Sequence, residues 1–162
     1  MYLCIIEIVL LCVGKTDRTF WSDATEEYVK RLKHFIKFSV QFVADPKANK
    51  KTQPLEIKNE EAKKILQKIK PGDFVYLLDE KGKSFTSKGF AKQLEQHMIS
   101  GGSRIIFIVG GAFGFSEALY QKFPRKIALS EMTFSHQMIR LFFCEQLYRA
   151  LTIINNHPYH ND

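Results

Sequence analysis

Apolar and polar residues alternate along the chain in blocks that predict short strands and amphipathic helices in turn. The β-branched run at residues 5–13 predicts a buried strand ending at Gly14-Lys15. Phe20, Ala24, Tyr28, Leu32 and Phe35 then recur at helical spacing. Residues 37–43 put Phe38, Val40 and Phe42 on one side, the pattern of a half-covered edge strand. Residues 45–54, rich in lysine and containing two prolines, read as an exposed loop. A second helix over 56–69 turns Ala62, Ile65, Leu66 and Ile69 inward and stops at Pro71-Gly72. Residues 74–79 form a third strand, with a turn at 80–83. Thr86 or Ser87 can cap a third helix carrying Phe90, Leu94 and Met98 inward. Glycines and serines at 100–103 break it. A fourth strand at 105–109, a short helix after Ser116, a fifth strand at 127–129 and a last helix from Ser135 complete the pattern.

Strands joined by helices imply crossover connections. The expected fold is therefore α/β, one domain over residues 1–162, with a mainly parallel sheet covered by helices on both faces. The last helix is unusual: Ile139, Leu141, Phe142, Phe143, Cys144, Leu147, Tyr148, Ala150, Leu151, Ile153 and Ile154 leave it almost no polar face. A helix apolar all round is buried all round, and in so small a domain one side is expected to need a partner chain. A twofold homodimer follows as the default.

The chain has 162 residues and a formal charge of +7, which favours a polyanionic partner such as RNA, DNA or an anionic membrane, or simply a basic, soluble surface. Cys4, Cys12 and Cys144 lie in apolar runs with no C-x-x-C pair, so they read as buried thiols in a reducing compartment. Residues 1–13 lack a basic start and a small-residue cleavage site, carry Glu7, and fall short of a membrane span. A cytoplasmic protein with no membrane anchor is expected.

The chemistry concentrates in the last third. Gly110-Gly111-Ala112-Phe113-Gly114 ends the fourth strand but fits neither a dinucleotide fingerprint nor a phosphate-binding loop with its Gly-Lys-Ser/Thr. Glycines at the carboxyl end of a parallel strand instead bring bare backbone to a ligand, and a side chain at 110 is expected to collide with it. Met132-Thr133-Phe134-Ser135-His136-Gln137 is either a second such loop or a plain helix start capped by Ser135. His136, His157 and His160 lack the spacing and companions of a zinc site, so no metal is expected. No nucleophile elbow is present. The tail His157-Pro158-Tyr159-His160 has no apolar pattern to anchor it in a core.

Val13-Gly14-Lys15, Leu77-Leu78-Asp79 with Gly82-Lys83, Phe107-Ile108-Val109-Gly110-Gly111 with Gly114, Met132-Thr133-Phe134-x-His136-Gln137-x-x-Arg140, Glu145-Gln146-x-Tyr148-Arg149-Ala150 and Asn156-His157-Pro158-Tyr159-His160 occur in order along nearly the whole chain. This set resembles the RlmH family, SPOUT-class methyltransferases that modify N3 of a pseudouridine in bacterial large-subunit (23S) ribosomal RNA. The resemblance implies a C-terminal trefoil knot, a homodimer, and S-adenosylmethionine held at Leu78, Gly110, Leu129, Ser130, Glu131, Met132, Thr133 and Phe134. It further implies catalytic roles for His136 or His160 as base, for Arg140 on RNA phosphate or the developing uracil charge, and for Tyr159 stacked on the target base. The family usually carries proline where this chain has Ser135, which can cap the same turn. The rivals are a knotted methyltransferase for another RNA such as tRNA, and a non-catalytic ribosome-binding protein.

Overall fold

The computed structural model describes residues 6–161. The first apolar run forms strand β1 (Glu7–Val13), in which every residue after Glu7 is buried. Burial on both faces is what a parallel strand between two helical layers requires. β2 (Lys37–Val43) and β4 (Arg104–Val109) flank β1, β3 (Phe74–Ser84) lies beyond β4, and β5 (Lys126–Ala128) closes the far edge. The order is β2-β1-β4-β3-β5 with every pairing parallel, so the α/β reading holds. The start of the expected first strand, with residues 1–4, falls outside the described residues.

Alternation along the strands sorts two cores. Ile8, Leu10, Cys12, Tyr76 and Phe107 face α1 (Thr19–Leu32), α3 (Ser87–Ile99) and α5 (Met138–Ile154). Val9, Leu11, Leu77, Ile106 and Ile108 face α2 (Pro54–Lys68) and the short α4 (Glu117–Lys122). Each such side chain contributes about 1.5–3 kcal/mol by leaving water. β2 is an edge strand as expected: Phe38 is buried, but Phe42 is 39 % exposed, with the Arg140 guanidinium 5.8 Å from its ring centre.

Three details differ from the sequence reading. Thr86 rather than Ser87 caps α3, accepting the Gly89 amide at 3.0 Å. The turn at 80–83 is a bulge inside β3, because Leu78 and Lys83 both align with Ile127. Gly82 makes that return possible: a Cβ there would lie 2.6 Å from the Ile127 backbone. Third, α5 is not left half-bare for a partner chain. α1 and α3 flank it within the same chain and bury Phe143, Cys144, Leu147, Tyr148 and Leu151. What stays open is its amino-terminal end, where Phe142 is 38 % exposed and meets the Phe134 ring at 5.2 Å. Among the described residues no helix is long and apolar enough to cross a membrane.

Candidate active site

Parallel strands deliver their carboxyl-terminal loops to one rim of the sheet, where open α/β folds bind ligands. Here the loops after β3, β4 and β5 enclose a cleft of about 450 Å³, a size suited to a small-molecule ligand. Leu78 comes from the first loop, Gly110 from the second, and Leu129, Ser130, Met132, Thr133 and Phe134 from the third. Glu131 is exposed and outside the lining. His136 lines the same cleft.

Side-chain hydrogen bonds brace these loops. The β3 bulge is held by Asp79, which accepts the Lys81 amide at 2.8 Å and the Tyr120 hydroxyl. Burial, then the Asp79 carboxylate, pushes the Tyr120 phenol above its ordinary range, so it stays a donor. The Thr133 hydroxyl donates to Glu80 and ties the loop after β5 to that bulge. Ser130 Oγ accepts the Met132 amide at 3.0 Å. Ser135 Oγ accepts the amides of Gln137 and Met138 at 3.2 and 3.4 Å, so serine serves as a cap just ahead of α5.

The glycines are required by what lies behind the loop. A Cβ at Gly110 would sit 3.2 Å from the Phe115 ring, and one at Gly111 would run into the Glu61 carboxylate. This corrects the expectation that a side chain at 110 meets the ligand alone. Gly114 turns the loop at φ 76°, a conformation that favours glycine, and its amide donates to Gly111 O at 3.2 Å. Glu61, buried on α2, accepts the Gly111 N–H, and burial raises its carboxyl above the usual range. Sequence reasoning missed Glu61. The signal was its place on the inward stripe with Ile65 and Ile69, where a carboxylate needs a partner.

Arg140 is not where the resemblance puts it. Its side chain is 1 % exposed, donating from one terminal nitrogen to Val13 O at 2.6 Å and from the other to Thr16 Oγ1 at 3.2 Å. In this chain it binds the end of β1 rather than phosphate. Gln137 reinforces that clamp, donating to Lys15 O at 3.2 Å and accepting the Asp17 amide at 3.2 Å. Together they fix the turn carrying His136 against the loop after β1.

The tail is also anchored, against expectation. The Tyr159 hydroxyl donates to Glu145 Oε1 at 3.1 Å and lies 3.4 Å from that of Tyr28. Its ring packs edge-on to Tyr148 at 4.7 Å, and the Arg149 guanidinium lies 4.9 Å from its centre. Burial, then the Tyr28 and Glu145 contacts, pushes the Tyr159 phenol up. His160 Nδ1 is 3.3 Å from Arg149 Nη1. Neither Tyr159 nor His160 lines the cleft of its own chain, so the expected catalytic residues fall into two groups.

The cleft suits the cofactor that the resemblance implies. Leu78, Ile127, Leu129 and Ile139 offer apolar walls for a flat ring, while Asp79 and Glu80 supply carboxylates for a cation or for ribose hydroxyls. Among the described residues no three His, Cys, Asp or Glu side chains stand together as a metal site.

A family described as "Predicted SPOUT methyltransferase" matches residues 6–160. Proteins named ribosomal RNA large subunit methyltransferase H are similar over almost their whole length. The one from Parabacteroides distasonis is 48% identical over 157 residues, covering 97% of this chain and 100% of that protein. The one from Flavobacterium psychrophilum is 47% identical, covering 96% and 99%. Among solved structures, a "probable methylase family protein" from Haemophilus influenzae superposes with a TM-score of 0.51 at 12% identity, covering 97% of this chain and 70% of that one, a likeness of fold. With a family match across nearly every residue and relatives this similar end to end, the chain belongs to the RlmH family of SPOUT methyltransferases.

Proposed function

We propose that this protein is a cytoplasmic, homodimeric, S-adenosylmethionine-dependent methyltransferase acting on N3 of a pseudouridine in large-subunit ribosomal RNA, on assembled ribosomes. The reading rests on family membership and on one observation: three loops from the carboxyl ends of β3, β4 and β5 converge on one cleft whose lining includes an imidazole. A trefoil knot threading the C-terminal third belongs to the same reading, supported by the strand order and the family match. The names of the relatives support the ribosomal substrate.

When bound, S-adenosylmethionine supplies an electrophilic methyl group. The chain's own task is then to hold the acceptor in line and to remove the N3 proton. Orientation of two reactants supplies a large part of such a rate enhancement. His136 is the base in this reading, because it is the histidine that lines the cleft and the Gln137 and Arg140 clamps fix its turn. Arg140 is then a positioning residue. Tyr159 and His160 act on the partner's cleft, where an aromatic ring can stack on an unpaired base. Their distance from the cleft of their own chain favours this composite site.

The test has two arms. Titration calorimetry on the purified protein should detect S-adenosylmethionine binding, and ribosomal RNA from cells lacking the gene should miss one methylated pseudouridine. No cofactor binding, or an unchanged methylation map, refutes the proposal.

A further inference from the structure

A second recess, of about 670 Å³, lies along the free edge of the sheet, where β5 is the last strand. Phe74, Tyr76 and Phe85 give it an aromatic floor, and Lys83, Arg125 and Lys126 surround them. No aspartate or glutamate lines it among the described residues. The cations are set on rings. The Arg125 guanidinium lies 4.0 Å over Phe74, Lys83 Nζ 4.9 Å over Phe85, and Lys126 Nζ 5.1 Å over Tyr120. None of the three takes part in an ion pair among the described residues.

The polar interior is ordered too. Tyr76 Oη and Gln93 Nε2 converge on His97 Nε2, the latter at 2.9 Å, and the His97 ring packs 4.1 Å from Phe74. Burial and the Arg125 charge hold that imidazole below its ordinary value, so it presents neutral hydrogen-bonding edges.

A merely solvated basic face has no need of rings beneath its charges. This recess combines unpaired cations, which bind phosphates, with aromatic faces and an exposed guanidinium plane, on which unpaired bases stack. An acidic peptide would use the charges and leave the flat surfaces idle. The recess is also continuous with the cleft: Ile127 lines both, and only the β3 bulge separates them.

We propose that the recess between α3 and β5 holds a single-stranded stretch of RNA next to the nucleotide presented to the cleft. This rests on the reading of the protein as an RNA methyltransferase and adds where the flanking RNA is gripped. Arg125 offers a stacking plane, and Lys83 and Lys126 take phosphates.

The experiment measures binding of a short fluorescein-labelled single-stranded RNA, and of its duplex, to the full-length protein over a range of salt. Replacing Lys83 and Arg125 together by alanine should weaken single-strand binding by about tenfold or more and reduce the salt slope by roughly two. Cofactor affinity by calorimetry and the sedimentation coefficient should stay at wild-type values. Photo-crosslinking of thiouridine-substituted RNA to the wild type, mapped by mass spectrometry, should label residues 83–85 or 125–126, and it does not depend on any variant folding. Unchanged affinity in the double variant, or crosslinks confined elsewhere, overturns the proposal. Loss of dimer in the variant also overturns it, since the recess would then be an interface between copies. If the wild type binds RNA here but neither binds cofactor nor methylates ribosomal RNA, the methyltransferase reading fails and the groove stands.

Discussion

At the scale of single residues, the cleft depends on side chains that never face its ligand. Glu61 holds the Gly111 N–H from behind, and its buried carboxyl has a folded pKa above the ordinary 4.5. An acid shifted upward contributes most to stability below its unfolded value, and that contribution is lost as pH rises through the folded value. Glu61→Gln keeps an acceptor for Gly111 without the charge. Its melting temperature relative to wild type should therefore rise as pH increases from about 4.5 toward neutrality. A difference that stays flat with pH would refute the assignment. Arg140 is the second such residue. Arg140→Ala removes a charged donor from Val13 O and leaves a void, which should cost about 2–4 kcal/mol in denaturant unfolding. Arg140→Lys keeps the charge without the forked geometry and should fall between. If Arg140 met RNA instead, its loss would spare stability and weaken only RNA binding.

At the scale of elements, α5 and the tail behave as one unit. The chain turns at Asn156, whose φ is 53°, and folds back so that the His157 amide donates to Thr152 O at 2.8 Å. Tyr159 then closes on Glu145 and Tyr28. Deleting residues 157–162 should accordingly cost about 1–3 kcal/mol of stability as well as most methyl transfer. The milder Tyr159→Phe keeps the ring and loses the hydroxyl contacts. Under the composite-site reading it should retain much of the transfer rate, because stacking survives. Single-turnover transfer to ribosomes with saturating cofactor measures both. Wild-type rates in the truncated protein would leave the tail a packing element only.

At the scale of the whole molecule, the exposed apolar side chains set the expectation for assembly. Phe142 at the start of α5, Phe20 on α1 and Met132 in the third cleft loop are 38, 53 and 76 % exposed. Apolar groups of this size, left open beside a ligand cleft, mark an interaction surface. Sedimentation at micromolar concentration should show a dimer, and Phe142→Asp should shift it to monomer. A well-folded wild-type monomer under those conditions would remove the composite site with it.

The order of elements, the parallel sheet and the cofactor loops were legible in the sequence because each rests on local pattern. Burial on both faces makes a strand apolar throughout, glycines mark where backbone must come close, and a motif such as Thr133-Phe134-x-His136-Gln137 is contiguous. What tertiary structure decided was every matter of which side a group faces. Arg140 lies three residues beyond Gln137 on a helix and carries no sign that it reaches back to Val13, a partner 127 residues away. Glu61 looks like one more helix-surface acid until Gly111 arrives from β4. Tyr159 has no apolar neighbours in sequence, yet α1 and α5 supply Tyr28, Tyr148 and Glu145 around it. Local periodicity records how a segment meets water, whereas these contacts join segments far apart in the chain, and only the packed fold brings them into reach.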